Sequence, residues 1–153
     1  MREPKTPLVL FSVRQADLTD TENNQNHESA HRVLQSLGYK FSPAVGVTKR
    51  WGKERSFLVV LPSISDPEYD ARLGTLHRIA DQYNQESYMY VHADRFAELV
   101  ELDPSIDAKP LPLGYLQKVP QALALAIGDY TTIGEDAYYA CLTDSPNIGT
   151  VSV

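Results

Sequence analysis

Cysteine occurs once in this chain, at Cys141. An intrachain disulfide is thereby excluded, together with any cysteine-rich zinc site, and a reducing, cytoplasmic compartment is the simpler setting. Crossing a bilayer as a helix takes about 20 consecutive apolar residues, and no run comes near that length. The short apolar stretch at 8–13 is cut off by Arg14, too early and too short for a signal peptide. A soluble chain with no membrane partner is therefore expected. Glycine-rich phosphate loops of the Walker or dinucleotide type are missing, as are internal repeats and low-complexity tracts. Basic charge is in deficit: 14 Lys and Arg stand against 20 Asp and Glu, a net charge of −6. That disfavours a general nucleic-acid binder, since phosphate neutralisation supplies most non-specific affinity.

What is present reads as one α+β domain over 1–153. The run Leu8-Val9-Leu10-Phe11-Ser12-Val13 is a first strand. Thr19 and Glu22 have capping-box spacing and open a helix that runs to Leu37, with Ala30, Val33, Leu34 and Leu37 on its apolar face. Gly38 suits the left-handed residue past its end. Strands follow at 39–47 and 56–61, with a loop over 46–55. Ser65 and Pro67 start a second amphipathic helix carrying Tyr69, Leu73, Leu76, Ala80 and Tyr83. A fourth strand covers 87–92, and Asp94 caps a short third helix to about residue 102. The order βαββαβ, then α, is the ferredoxin-like one, with two helices covering one face of an antiparallel sheet. Leu34, Leu37, Phe57, Val59, Leu73, Leu76 and Ile79 should be buried there. The core at 8–102 is followed by a proline-rich connection at 103–114 and a C-terminal β-hairpin at 115–153. Residues 121–127 read as strand, with helix as the competitor.

Glu22-Asn23 opening a helix, Leu34, Gly38, Gly46, Trp51, Glu54, Ser56 and Gln85 make residues 11–92 resemble domain-of-unknown-function family 3293 of small bacterial proteins. The chain departs from that pattern at Ser12-Val13-Arg14-Gln15, where the family has an Asn-Pro-type turn. The resemblance implies a small soluble domain and supplies no catalytic residues.

The sharpest local motif is His27-Glu28-Ser29-Ala30-His31. Histidines four apart on a helix share a face and can hold zinc, with Glu28 activating water and Glu54 as third ligand. The apolar stripe puts His27 at its margin and His31 towards solvent, so two polar histidines on a solvated face are the better reading. No catalytic residue, metal or cofactor is assigned. Cys141 reads as a buried structural residue, and Tyr88 and Tyr90 as sheet packing.

The loop Lys49-Arg50-Trp51-Gly52-Lys53-Glu54-Arg55 gathers four cations around a tryptophan, the residue types that dominate binding hot spots. With Asn23, Glu54 and Gln85 it forms the expected binding surface of a small interaction or regulatory domain whose partner is another protein. Two alternatives stand beside it. One is a zinc-dependent hydrolase using His27, Glu28 and His31. The other is a nucleic-acid-binding module on the sheet face, for which Arg55 and Phe57 supply the leading cation and one aromatic.

Overall fold

A computed structural model describes residues 5–48, 52–103, 109–134 and 138–144. Eight strands and three helices follow one another: β1 (Leu8–Phe11), α1 (Asp20–Ser36), β2 (Lys40–Thr48), β3 (Gly52–Val60), α2 (Tyr69–Gln82), β4 (Ser87–Val91), β5 (Phe96–Glu101), β6 (Leu111–Val119), α3 (Gln121–Ile127), β7 (Tyr130–Ile133) and β8 (Tyr138–Thr143). Among these residues no helix is long and apolar enough to cross a membrane.

The strands close into a barrel of order β1-β3-β2-β7-β8-β6-β5-β4, with β4 returning to β1 and every pairing antiparallel. β1 sits between β3 and β4, with Val9 opposite Val59 on one side and Tyr90 on the other. The ferredoxin-like expectation is overturned here. That arrangement is an open sheet of four strands under two helices, and it leaves two unpaired edges. In this chain β7 pairs with β2, and β5 with β4, so neither edge remains exposed. The expected third helix is instead β5. Asp94 does cap a backbone N–H, but its Oδ1 accepts from Phe96 N at 2.9 Å within a tight turn between β4 and β5. The proline-rich connection ends sooner than expected, because Pro112 lies inside β6, opposite Glu98 beside a bulge at Ala97 and Glu98. Residues 121–127 are helical, and the C-terminal part is a helix with three barrel strands rather than a lone hairpin.

Strand alternation separates two cores. Leu8, Leu58, Val91, Ala97 and Ile133 pack inside the barrel with Leu10, Val60 and Met89. Their neighbours Val9, Phe11, Phe57, Val59, Tyr88 and Tyr90 point the other way and pack beneath α1 and α2. Apolar residues on both faces explain the unbroken hydrophobic runs of β1 and β3.

α1 starts at its capping box: Thr19 Oγ1 accepts from Glu22 N, and Glu22 Oε1 accepts from Thr19 N. Its buried stripe is Asn23, His27, Ala30 and Leu34, at four- and three-residue steps. The expected stripe is rotated, because Val33 and Leu37 are exposed at 37% and 44%. Arg72 of α2 donates to Leu37 O at 2.7 Å and lies over the Tyr39 ring, which fixes the end of α1 against α2.

Candidate functional site

A cleft of about 590 Å³ lies where β4 turns into β5. The turn is tight: His92 N donates to Phe96 O, Arg95 N donates to His92 O, and Arg95 takes a φ of 75°. Arg95 Nη1 donates to Thr6 O at 2.7 Å, which holds the segment entering β1 against the turn. Leu61 N donates to Pro7 O and brings in the chain leaving β3. Lys5, Ser63, Ile64, Tyr90, His92, Asp94, Phe96 and Tyr115 line the cleft as a result.

Four of these rings form a continuous row. Tyr90 and His92 meet edge to face with centroids 4.9 Å apart, His92 and Phe96 lie at 6.4 Å, and Phe96 and Tyr115 at 5.2 Å. The polar ends of two are already engaged. His92 Nε2 lies 3.2 Å from Glu98 Oε2, and the Tyr90 hydroxyl is 2.5 Å from that of Tyr69 on α2. Burial, followed by the bond to Tyr69, pushes the Tyr90 phenol well above its ordinary range. The cleft thus offers aromatic faces, one ammonium at Lys5 and the carboxylate of Asp94, one oxygen of which accepts from Phe96 N.

A second, smaller groove of about 90 Å³ lies between the start of α1 and β3. Val13, Arg14, Asn23, Asn24, His27, Lys53, Glu54 and Arg55 line it. Asn23, Lys53, Glu54 and Arg55 therefore line one groove. Lys53, Glu54 and Arg55 belong to β3 rather than to a loop, while Lys49, Arg50 and Trp51 lie outside the described residues. Gln85 does not join the groove; its Nε2 donates to Arg14 O and Tyr83 O. Asn23 acts as a clamp, accepting from Gln15 N at 2.8 Å and donating to Gln15 O at 3.0 Å.

His27 is only 4% exposed, where the sequence put it at the margin of the apolar stripe. Its ring stacks on Phe57. Burial, and then Arg55 close by, hold its pKa down to about 4. His31 turns its ring against the face of Phe41 at 5.0 Å. Glu28 Oε1 receives Arg55 Nη2 at 3.1 Å, and that bond holds the carboxyl below its usual range. Among the described residues no three His, Cys, Asp or Glu side chains gather as metal ligands. The hydrolase reading is corrected accordingly: its base is tied to an arginine, and both its histidines rest on aromatic rings. The nucleic-acid reading fails on Phe57, which is fully buried under α1 rather than free on a sheet face. Cys141 packs with Val119 and Ala124, and burial raises its thiol pKa.

The model of the S-Adenosylmethionine lyase family matches residues 9–142 of the chain. The chain belongs to that family. No curated protein matches it. Membership in the S-Adenosylmethionine lyase family replaces the resemblance to domain-of-unknown-function family 3293. It also overturns the interaction or regulatory reading, because this family is named for an enzymatic activity. For a lyase family member the aromatic cleft is the informative cavity. Sequence reasoning missed it because its walls come from four separated segments. The only signal was Tyr90 and His92 on one face at the end of a strand, close to Phe96.

Proposed function

We propose that this protein binds S-adenosylmethionine in the cleft between β3, β4, β5 and β6 and cleaves one of its carbon–sulfur bonds without water. The observation that carries the reading is the row Tyr90, His92, Phe96 and Tyr115, with Lys5 and Asp94 beside it in a cleft of about 590 Å³. The ligand's parts match this lining. An adenine stacks on aromatic faces, a sulfonium is attracted to their negative quadrupole, and the amino-acid end carries a carboxylate for Lys5 and an ammonium for Asp94. The volume is in the range of ordinary ligand pockets, about 300–1,000 Å³.

A sulfonium leaves as a neutral thioether, so the leaving group needs no acid. The Tyr90 phenol, driven away from ionisation, supports a route that needs no protein base either. In it a carboxylate oxygen of the substrate attacks the carbon next to sulfur. The new carbon–oxygen bond closes a lactone, the carbon–sulfur bond breaks, and its electron pair goes to sulfur. The products are methylthioadenosine and the lactone of homoserine, whose ammonium retains the substrate's positive charge. The protein contributes orientation, and holding nucleophile and carbon in line is worth orders of magnitude in rate. The single cysteine supports placing this reaction in the cytoplasm.

The test is incubation of the purified chain with S-adenosylmethionine and identification of both products by mass. Methylthioadenosine with homoserine lactone, lost in Phe96→Ala together with Tyr115→Ala, is the expected result. No turnover, or turnover indifferent to those two rings, overturns the assignment of this cleft.

A further inference from the structure

The groove beside α1 takes no part in that cleavage. It adjoins Val13 and Arg14, beyond the last residue of β1, whereas the aromatic cleft adjoins Lys5 and Pro7, ahead of the first. At about 90 Å³ it admits a handful of atoms and no nucleoside. Arg14, Lys53 and Arg55 bring three cations to its lining, against the single carboxylate of Glu54. Asp20 and Glu28 offset part of that charge from outside, at 3.5 Å from Arg14 and 3.1 Å from Arg55. Both pairs are exposed and weak. Each guanidinium has five N–H donors, so each keeps several to offer.

The second observation is independent of charge. His27 lines the groove at 4% exposure, and its Nδ1 has no hydrogen-bond partner. A buried polar nitrogen left in that state is costly, and native structures rarely keep one without a ligand or water to meet it. Asn23 next to it has its amide occupied by Gln15 and Leu18.

We propose that this groove is a binding site for a small oxyanion, with Arg14, Lys53 and Arg55 supplying the charge and His27 forming part of its wall. The Phe57 ring stacks on the His27 ring and fixes its plane. The imidazole is held neutral by burial and by Arg55, with Glu28 opposing and His31 adding to that effect. The positive charge that receives the anion is therefore that of the three permanent cations. Free phosphate, sulfate and a carboxylate share this chemistry, and the groove's size excludes anything much larger.

Inorganic phosphate, sulfate and acetate are titrated separately into the intact chain, with chloride holding ionic strength constant. The His27 ring C–H resonances and the melting temperature are followed. Saturable shifts at His27 with a raised melting temperature are expected. Phosphate and sulfate acting alone would identify a tetrahedral ligand, and equal action by acetate would identify a carboxylate. Arg14→Ala combined with Lys53→Ala, both at exposed positions, should weaken saturation by about tenfold or more. Effects no larger than those of chloride, or saturation unchanged in the Arg14→Ala, Lys53→Ala chain, overturn the proposal. None of these measurements uses S-adenosylmethionine, so their outcome is separate from that of the cleavage assay.

Discussion

His27 lies face to face with Phe57, ring centroids 4.3 Å apart and planes within 9° of parallel. The stack puts an ionisable ring in the core beneath α1, where the neutral form is favoured and the pKa falls from 6.5 to about 4. The unfolded chain takes up a proton at the higher value and the folded chain only at the lower one. Stability from this residue is thus fully present above about pH 6.5 and is lost as pH falls towards about 4. Allowing for solvent at the edge that meets the groove, the loss is on the order of 1–2 kcal/mol. Urea denaturation at steps across that window should show the decline, and His27→Phe should flatten it. A slope unchanged by that substitution would assign the acid sensitivity to another group.

Asn23 joins the start of α1 to the segment between β1 and α1 through its contacts with Gln15 and Leu18. Asn23→Ala leaves the part-buried N–H of Gln15 without a partner, while Gln15 O keeps Leu18 N at 3.2 Å. It should cost about 1–2 kcal/mol, or about 2–4 °C in melting temperature for each kcal/mol at this chain length. Gln85→Ala removes bonds made by only one amide nitrogen and should cost less. An equal or smaller loss for Asn23→Ala would contradict the clamp.

Local signals were legible where the chemistry is local. Thr19 and Glu22 cap α1 as their spacing implies, and Gly38 takes its positive φ beyond the helix. Long-range pairing was not. Ala44 opposite Ile133 closes one side of the barrel, and nothing near either residue announces the other. Asp94 misled because the oxygen that caps a helix also caps a hairpin turn. The buried stripe of α1 was misplaced because it begins with Asn23 and His27, which hydrophobic periodicity does not count. The groove was half legible, since Lys53, Glu54 and Arg55 are consecutive. The cleft was not, because the chain assembles it from strand ends far apart in sequence.

Closure of the barrel depends on a close approach of β6 and β8. Gly114 has a φ of 120°, and a Cβ placed on it would lie 2.7 Å from Thr143 O, a backbone atom. Gly114→Ala therefore combines a strained backbone with a clash that no side-chain rotation relieves. Its cost should be about 3 kcal/mol or more. Gly134→Ala is the control, since that glycine has a φ of 75° with nothing within 4 Å; about 1 kcal/mol is expected there. Comparable losses for the two would show that contact with Thr143 does not hold the strands together.

The last prediction separates the two ways a lyase can break a carbon–sulfur bond. Elimination removes a proton from the substrate carbon chain and needs a base in the cleft, and a positioned base contributes about 10²–10⁴-fold in rate. Internal displacement by the substrate's own carboxylate needs none. The Tyr90 phenol, driven away from ionisation, favours displacement, and His92, paired with Glu98, is the group the test addresses. His92→Gln and Tyr90→Phe should then keep kcat within about tenfold of the parent, with the main effect on KM in His92→Gln, which loses a ring from the row. The kcat profile should stay flat through the neutral range. A kcat reduced by about a hundredfold or more in His92→Gln, with the loss of a titrating limb in the pH profile, would identify His92 as a base. The product would then be the unsaturated amino acid instead of the lactone, so mass analysis of the same reaction decides the question independently of the rates.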